Sequence, residues 1–441
     1  MAKLSKRTSL SVWMNGEKVG TWVVASAISL GSGSSFQYAP EWLAAPERRA
    51  LSLSLPFTPG NVPHSGAVVT DFFDNLLPES DETRRRLRTR YGTASTVAFD
   101  LLSVIGRDCA GAVQLLREGE TPKGWDRIEG TALDARGVER VIDGGFSTDP
   151  FTDGEHNLRV SLSGMQEKTA LLFHKGQWWL PHGATPTTHI IKLPLGMMGS
   201  RQVDMSDSVE NEWLCARIMN AFGLRTAASE IRKFGEHKVL IVERFDRRLI
   251  NGRWIARLPQ EDFCQALGIP AANKYESAGG PDIESILRVL DSSSRPEDKR
   301  DFVKAQIVFW LLAAIDGHGK NFSIFHERGG TYCLTPFYDV LSAWPIIGDG
   351  VGFLDMRRVE LAMAVRGKNP HRKLEEIRPH HWDWAARLAG FENATAILEE
   401  VLAEIPEMIR SVSASLPAEF PTRISDAIFK GIIDQLERLG S

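Results

Sequence analysis

The chain has 441 residues, of which 43% are hydrophobic and 24% charged, with a formal net charge of −4. This length exceeds what one hydrophobic core usually organises, so we expect two or three lobes, and the composition excludes a disordered chain. The acidic balance argues against a surface that binds nucleic acid over its whole extent, so any DNA contact must be local or made through a partner.

Four cysteines lie far apart and form no CxxC pair: Cys109, Cys215, Cys264 and Cys333. This spacing disfavours a zinc site and a disulfide framework, and a reducing compartment is the natural interpretation. The N-terminus has no apolar core of signal-peptide length, and no later stretch reaches the roughly 18 apolar residues of a spanning helix. The sequence therefore predicts a cytoplasmic protein without a membrane segment.

The first 145 residues are predicted to form a β-rich subdomain. Residues 8–60 contain short alternating runs broken by Gly, Pro and Ser, which are typical of strands. The segment VVTDFFDNLLPES predicts a helix with Asp71 as its N-cap. Residues 120–150 are polar and glycine-rich, which indicates a connection and a domain boundary near residue 145.

Residues 146–246 are predicted to form an antiparallel sheet interrupted by one helix. The strand-like runs LRVSLSG, KTALLFHKGQWWLP and THIIKLP are rich in β-branched and aromatic residues and are separated by Gly or Pro. The segment DSVENEWLCARIMNAFGL predicts a helix that stops at Gly223. The segment ASEIRKFGEHKVLIVERFD predicts a further pair of strands.

Residues 247–441 are predicted to be mostly helical, with further amphipathic helices over 380–441. The segment 298–315 is polar in its first turn and then apolar on nearly every side, which predicts a buried helix. Such a helix would hold the residues that follow it on a rigid platform.

Those following residues, DGHGKN from Asp316 to Asn321, carry the most informative pattern. Asp339 comes eighteen residues after Asn321, in the sequence FYD. Phosphoryl transfer needs a carboxylate base that orients the acceptor hydroxyl and oxygen ligands that hold magnesium. The spacing equals that of the protein-kinase catalytic loop HRDxxxxN and its DFG-like aspartate, with Ala314 and Ile315 in place of the His and Arg. DxxxxN is common by chance, but its place after a buried helix strengthens this interpretation.

Two residues inside the loop keep alternative interpretations. GHGKN is not a phosphate-binding P-loop, since the second glycine and the hydroxyl residue of GxxxxGK[ST] are missing. Lys320 is therefore either a solvated loop charge or a group near the transferred phosphate. His318 is better explained as a structural or acceptor-orienting residue than as a metal ligand.

Upstream, two features fit nucleotide binding. The small-residue turn between Ser161 and Thr169 could let backbone N–H groups approach phosphates, although it could equally be an ordinary hairpin turn. Lys192 lies in an otherwise apolar strand, where a buried ammonium needs an anionic partner. ATP phosphates or Glu212 on the following helix could be that partner, and a pair with Glu212 would match the kinase Lys–Glu arrangement. The alternative is that Lys192 is an edge-strand residue, which is the more common place for a lone lysine in a strand.

Other polar clusters are weaker candidates. His380 and His381 are adjacent and point in different directions, so capping or packing explains them better than a joint metal site. A basic cluster is interpreted as solvated surface, with contact to DNA phosphates as the alternative: Arg366, Lys368, Arg372 and Lys373.

Many segments spread over nearly the whole chain resemble one family. They are FQYAPEWL, LSLSLP, FFDNLLPES, FDLLSVIGRDCAGAV, SLSGMQEKTALL, TPTTHIIKLP, VENEWLC, VERFDRR, RLPQEDFCQALG, KYESAGGP, DGHGKNFSIF and LTPFYDVLSA. Together they are similar to the HipA family, the toxin halves of bacterial toxin–antitoxin pairs. The resemblance implies an α+β, kinase-like bilobal fold, with an N-terminal β-rich subdomain at 1–145, the ATP-binding part at 146–246 and a helical lobe at 247–441.

The resemblance also implies roles for individual residues. Asp316 would be the catalytic base, and Asn321 and Asp339 would bind Mg²⁺. Ser161 matches an autophosphorylated serine. The implied ATP-binding residues are Ser163, Gly164, Met165, Gln166, Glu167 and Lys168 in the phosphate loop, Lys192, the adenine hinge Glu243, Arg244 and Phe245, and His318, Gly319, Lys320, Asn321 and Asp339.

The family further implies partners and a biological role. The expected partner is a HipB-like helix-turn-helix antitoxin, with operator DNA bound mainly through it. The expected activity is an ATP-dependent serine/threonine-protein kinase that phosphorylates an aminoacyl-tRNA synthetase, typically glutamyl-tRNA synthetase, so that translation stalls and growth arrest or persistence follows. Two alternatives remain: a non-catalytic partner that braces an antitoxin on its operator, and a small-molecule phosphotransferase, whose usual HxD loop this sequence lacks.

Overall fold

The computed structural model describes residues 7–25, 33–146, 166, 168–199, 201–393 and 395–440. The strands are β1 Arg7–Met14, β2 Glu17–Ala25, β3 Ser34–Tyr38, β4 His64–Ser65, β5 Gln114–Arg117, β6 Gly130–Leu133, β7 Lys168–His174, β8 Gln177–Pro181, β9 His189–Lys192, β10 Gly196–Met198, β11 Val203–Met205, β12 Ser229–Phe234, β13 His237–Glu243, β14 Arg247–Ile250, β15 Trp254–Arg257, β16 Gln260–Asp262, β17 Ser323–His326, β18 Tyr332–Leu334, β19 Glu360–Arg366 and β20 Pro370–Lys373. The helices are α1 Pro40–Ala44, α2 Ala67–Asp74, α3 Asp81–Tyr91, α4 Ala98–Ile105, α5 Ala135–Phe146, α6 Ser208–Ala221, α7 Phe263–Ala266, α8 Ile283–Leu290, α9 Asp298–Leu311, α10 Pro379–Leu388, α11 Ala396–Ala414 and α12 Thr422–Gly440.

The N-terminal part is built on a five-stranded antiparallel sheet in the order β4-β3-β2-β1-β5. Alternate apolar residues of its strands face α2 and α4, and together they form a separate core. Trp22 stacks on Phe73 of α2 with ring centroids 4.1 Å apart, and its indole N–H donates to Ser34. This part therefore buries its own apolar surface, as its alternating pattern predicts.

The second part is a six-stranded antiparallel sheet in the order β12-β13-β9-β7-β8-β6. Helix α5 packs against it through Val138 and Ile142. Helix α6 also packs beside β12 and β13 and joins the core of the C-terminal part through Leu214 and Ile218. The sheet thus carries β9 and α6 as neighbours, which positions the site described below.

The C-terminal part is mostly helical. Helix α9 lies at its centre: eleven of the residues from Asp298 to Leu311 are buried, and α8, α10, α11 and α12 pack around it. The short sheet β16-β17-β18 holds the segment that follows α9. The buried helix and the amphipathic helices after residue 380 are confirmed.

A buried ion cluster joins the three parts. Asp108 of the N-terminal part accepts from Arg247 at 2.9 Å and lies 3.4 Å from Arg257 and 3.5 Å from Arg244. Asp246 pairs with Arg244 at 2.9 Å. Burial alone would raise the pKa of Asp108, but the three guanidinium groups outweigh it and hold the pKa far below its usual range.

Three local predictions differ from the structure. The boundary between the first and the second sheet falls before residue 130 rather than near residue 145, because β6 pairs with β8 and α5 packs on the second sheet. Asp71 lies inside α2, whose N-cap is Gly66. Helix α9 ends at Leu311 instead of residue 315, because the chain turns at Ala313, where φ is 48°. The strand predicted over LRVSLSG lies outside the described residues.

Candidate active site

One buried lysine of the six-stranded sheet is hydrogen-bonded to helix α6 and to the C-terminal part. Lys192, the last residue of β9, donates to Glu212 of α6 at 2.6 Å and to Asp339 at 2.8 Å. The side chains of Lys192 and Glu212 are only 6% and 8% exposed. The predicted Lys–Glu pair is therefore present, and Asp339 is its third member.

The charges of this triad depend on one another. Burial alone would lower the pKa of Lys192, but Asp339 and Glu212 outweigh it and raise the pKa. Burial alone would raise the pKa of Asp339, but Lys192 and Lys168 hold it far below its usual range. Burial does raise the pKa of Glu212, which Lys192 only partly opposes. Lys192 and Asp339 are thus held as a charged pair at the wall of the pocket.

Asp339 also has an unusual backbone. Its φ is 61°, in the left-handed region that costs a residue with a Cβ about 1 kcal/mol or more. Its Oδ2 lies 3.4 Å from Nδ2 of Asn321. The strained backbone directs the carboxylate to the point where β9, α6 and the catalytic loop meet, as is common at functional sites.

Asp339 and Asn321 are the side chains that would hold Mg²⁺: Asp339 offers a carboxylate, while Asn321 turns its Nδ2 toward that carboxylate and its Oδ1 accepts from the His318 N–H. Mg²⁺ binds one or two protein carboxylates together with water and substrate phosphate oxygens. In the part of the chain that the structure describes, no group of three or more His, Cys, Asp or Glu residues could hold a metal ion by itself. The residues present therefore suit a metal that arrives with a nucleotide.

Asp316 stands at the mouth of the same pocket, after the turn that ends α9. Its side chain is 63% exposed. Partial burial raises its pKa, while a hydrogen bond from Tyr275 and the charge of Lys274 act in the opposite direction. Tyr275 Oη donates to Asp316 Oδ1 at 2.5 Å. A carboxylate with a raised pKa is a better proton acceptor than an ordinary aspartate.

His318 is buried behind Asp316. Burial, followed by the charge of Lys274, lowers the pKa of His318 to about 3, so the ring is neutral near pH 7. Its backbone N–H donates to Oδ1 of Asn321 at 3.2 Å, and its ring packs edge-on against Tyr275. These contacts favour the predicted structural role over a charged one.

Lys320 and Gly319 shape the loop from behind. The Lys320 ammonium donates to Asp262 at 2.6 Å and to the side-chain and backbone oxygens of Asn75 at 2.9 and 3.0 Å. A Cβ at Gly319 would lie 2.4 Å from Pro281, so only glycine permits this approach. Lys320 borders the pocket, but its ammonium is hydrogen-bonded to Asp262 and Asn75. It is therefore not a solvated loop charge, which was one of its two predicted roles.

The three residues of the predicted hinge have different environments. Arg244 turns its guanidinium into the buried ion cluster, and Glu243 is exposed. The backbone N–H groups of Glu243 and Arg244 are bonded to Ala228 and Thr188. Of the three predicted hinge residues, Phe245 is the one whose backbone N–H has no acceptor among the described residues.

The predicted phosphate loop is described only in part. Ser161, Ser163, Gly164, Met165 and Glu167 lie outside the described residues. Gln166 donates to the Leu193 carbonyl at 2.7 Å. Lys168 lies directly opposite Lys192 in the β7–β9 register, and both side chains border the pocket. Burial lowers the pKa of Lys168.

Several residues in and beside the pocket have no role predicted from the sequence. Asn75 and Glu79 line the pocket from the N-terminal part, and Lys274 and Asp262 line it from the C-terminal part. Tyr275 lies beside the pocket and contacts it through Asp316. Their segments, FFDNLLPES, KYESAGGP and RLPQEDFCQALG, were among those that resemble the family, which is the signal that singled them out.

The weaker candidates lie elsewhere. Arg366 pairs with Asp282, Arg372 with Glu276 and Lys373 with Glu376. His381 stacks on His371 with ring centroids 3.9 Å apart, and its Nδ1 accepts from the backbone of Arg378 at the start of α10. Packing and capping therefore describe this histidine, as predicted.

Known protein families match both ends of this architecture. Residues 10–116 match the HipA N-terminal domain, and residues 160–409 match the HipA-like C-terminal domain. The chain belongs to the HipA family. The predicted family is confirmed, and so is the mixed α+β architecture.

Individual relatives cover most of the chain. The protein named "Putative kinase Y4mE" of Sinorhizobium fredii is 35% identical over 361 residues, which are 80% of this chain and 82% of the relative. The "Serine/threonine-protein kinase toxin HipA" of Shewanella oneidensis is 27% identical over 374 residues, covering 79% and 78% of the two chains. A solved Shewanella oneidensis structure described as HipA, HipB and operator DNA has the same fold, with a TM-score of 0.76, 22% identity and 97% of each chain covered.

The described helices include none that is long and apolar enough to cross a membrane. The four cysteines are free and buried, and none forms a disulfide.

Proposed function

We propose that this HipA-family chain is an ATP-dependent serine/threonine-protein kinase. One observation carries the proposal: Lys192, Glu212 and Asp339 form an ion triad in the same pocket as Asn321 and Asp316, with Lys192 and Glu212 buried and Asp339 open to the pocket at 34% exposure. A non-catalytic partner protein would have no use for a charged triad, which costs desolvation and backbone strain.

Each residue has a distinct role in the proposed reaction. Asp316 accepts the proton of a Ser or Thr hydroxyl, whose oxygen then attacks the γ-phosphorus while the bond to the ADP oxygen breaks. Lys192 binds the phosphates, and Glu212 keeps its ammonium in place. Asn321 and Asp339 supply oxygen ligands for Mg²⁺, which when bound neutralises phosphate charge. The free N–H of Phe245 and the lysine pair Lys168–Lys192 fix the two ends of ATP.

The biological part of the proposal rests on the relatives. We assign this chain to the toxin side of a toxin–antitoxin pair, with a HipB-like helix-turn-helix antitoxin as partner in the cytoplasm and operator DNA bound mainly through that partner. The proposed substrate is an aminoacyl-tRNA synthetase, with glutamyl-tRNA synthetase first, and its phosphorylation would stall translation and lead to growth arrest or persistence. Autophosphorylation of Ser161 would switch the kinase off.

Labelled ATP tests the central claim. The purified chain is incubated with γ-labelled ATP, Mg²⁺ and a bacterial lysate, beside Asp316→Asn, Asp339→Ala and the control Asp291→Asn. Asp291 is a solvent-exposed carboxylate paired with Lys299, outside the pocket, so this control keeps the parent rate. The Asp316 variant should lose about 10²- to 10⁴-fold in rate. Asp339→Ala should also weaken Mg²⁺-dependent ATP binding, because the metal loses a carboxylate.

The outcomes separate the functions. One labelled protein band that depends on Asp316 supports a protein kinase. Label on a small molecule supports a small-molecule phosphotransferase, and no label at all supports a non-catalytic partner. Parent-rate transfer by either pocket variant would contradict the assigned catalytic loop.

A further inference from the structure

The catalytic loop is covered by a segment that the proposed mechanism does not use. This segment runs from Lys274 to Pro281, with the sequence KYESAGGP. The backbone N–H of Gly319 donates to the Lys274 carbonyl at 3.1 Å, and Pro281 lies against Gly319. The segment is thus bonded to the loop that carries Asp316.

Within it, Tyr275 contacts the proposed base directly. Its hydroxyl donates to Asp316 Oδ1 at 2.5 Å, and its ring lies edge-on to His318 with centroids 5.0 Å apart. The second carboxylate oxygen, Oδ2, has no hydrogen-bond donor among the described residues, and Nε2 of His318 lies 3.9 Å away, beyond hydrogen-bonding distance. One oxygen of Asp316 is therefore engaged, and the other stays available to an acceptor hydroxyl.

The N-terminal part holds this segment in place. Lys274 donates to Glu79 at 2.6 Å, and both side chains are nearly buried, at 8% and 12% exposure. The ring of Tyr275 lies beside the Lys274 ammonium, 5.2 Å from its centroid. Since Glu79 lies in the loop between α2 and α3, the position of Tyr275 depends on how the N-terminal part packs on the catalytic part.

We propose that Tyr275 is a positioning residue for the phosphoryl-transfer base: its hydroxyl fixes the Asp316 carboxylate so that Oδ2 faces the acceptor. The inference rests on the proposed kinase function and deepens it. An aspartate that projects into solvent can rotate about two side-chain torsions, and a charge-assisted hydrogen bond at one oxygen restricts that rotation. Proton transfer is sensitive to this geometry, because a misplaced base loses contact with the acceptor proton.

The same hydrogen bond has a titration consequence. A donor that bonds a carboxylate favours the charged form, so Tyr275 lowers the pKa of Asp316 against the opposing effect of burial. Removing the hydroxyl must raise that pKa. The acid side of the pH–rate profile would then move to higher pH, which a purely structural defect would not produce.

Tyr275→Phe is the test, with Tyr332→Phe as the matched control. Tyr332 loses an equivalent hydrogen bond, to the Val289 carbonyl at 2.7 Å, away from the pocket. The rate kcat, KM for ATP and the affinity for ATP are measured from pH 5 to 9 on the full chain with its protein substrate. For Tyr275→Phe we expect kcat about tenfold lower, KM for ATP unchanged within about twofold, and the acid limb displaced upward by roughly half to one pH unit.

Each outcome decides the question. An unchanged acid limb with an unchanged kcat would overturn the positioning role while leaving the kinase proposal intact. Equal losses in Tyr275→Phe and Tyr332→Phe would reduce the role to stability and also overturn it. If the unmodified chain transfers no phosphate, both proposals fail together. Thermal melting and ATP affinity show whether Tyr275→Phe is folded. If it is not, Glu79→Gln replaces it as the test variant, since it weakens the ion pair that holds Lys274. Glu79→Gln must then lower kcat without altering KM for ATP, and an unchanged kcat overturns the proposal.

Discussion

Replacing Lys320 with methionine is expected to destabilise the protein more than it weakens ATP binding. The ammonium is 3% exposed and donates to Asp262 and to both oxygens of Asn75. Burial alone would lower its pKa, but Asp262 outweighs burial and raises it, so the lysine is charged in the folded state. The substitution keeps the length of the side chain and removes its charge.

The size of this destabilisation depends on the buried groups that lose their partner when Lys320 is replaced. Asp262 is 9% exposed and would keep a buried carboxylate with the N–H of Gln265, at 2.9 Å, as its main donor. Breaking a buried pair by removing one partner typically costs about 3–5 kcal/mol. Burial already raises the pKa of Asp262 against the effect of Lys320, so losing Lys320 must raise it further. The destabilisation should therefore be smaller in acid, where Asp262 becomes neutral.

Urea unfolding followed by tryptophan fluorescence measures the change. A double-mutant cycle with Asp262→Asn should show coupling, with the double variant less destabilised than the two single losses combined. Lys299→Met is the control: its partner Asp291 is 54% exposed, and loss of an exposed pair costs under about 1 kcal/mol. A Lys320→Met variant with parent stability but strongly reduced ATP affinity would refute the structural role and favour a phosphate ligand.

Three further predictions are open to simple measurements. Mass spectrometry of protein purified from cells should find phosphate on Ser161 only when Asp316 is intact, together with lost ATP binding. The phosphate adds about −1.5 to −2 charges, which compete with ATP for the hydrogen-bond donors that bind its phosphates. A modified protein that binds ATP normally would contradict this prediction. Mixing with a cognate helix-turn-helix antitoxin should give a complex that binds operator DNA more tightly than the chain alone, whereas unaided binding with a steep salt slope would argue against an antitoxin-dependent contact. The depressed pKa of Asp108 contributes stability that is fully present above the pKa of about 3.9 in the unfolded chain and is lost as pH falls below that value. Asp108→Asn should therefore lower the free energy of unfolding at pH 7, and acid unfolding curves should show a smaller loss of that free energy as pH falls.

Local patterns in the sequence were enough to predict the elements that frame the site. The alternating runs of β7, β8 and β9, the helical spacing of α6 and the all-round apolar face of α9 each follow from side-chain periodicity. The carboxylate and amide pattern of Asp316, Asn321 and Asp339 could be read in the same way, because its chemistry depends on spacing along one loop and hairpin. The cost of an unpaired buried charge predicted an anionic partner for Lys192, with Glu212 as one of two candidates.

Contacts between distant segments could not be read from local patterns. Tyr275 and Asp316 are 41 residues apart, and Lys320 and Asn75 are 245 apart, so neither hydrogen bond leaves a periodic signal. The sequence by itself determined the carboxylate and amide pattern of the proposed catalytic loop, because that pattern depends on residue type and local spacing. Only the tertiary structure decided that Lys320 pairs with Asp262, that Tyr275 holds Asp316 and that the N-terminal part borders the pocket, because these depend on how separately formed cores pack together.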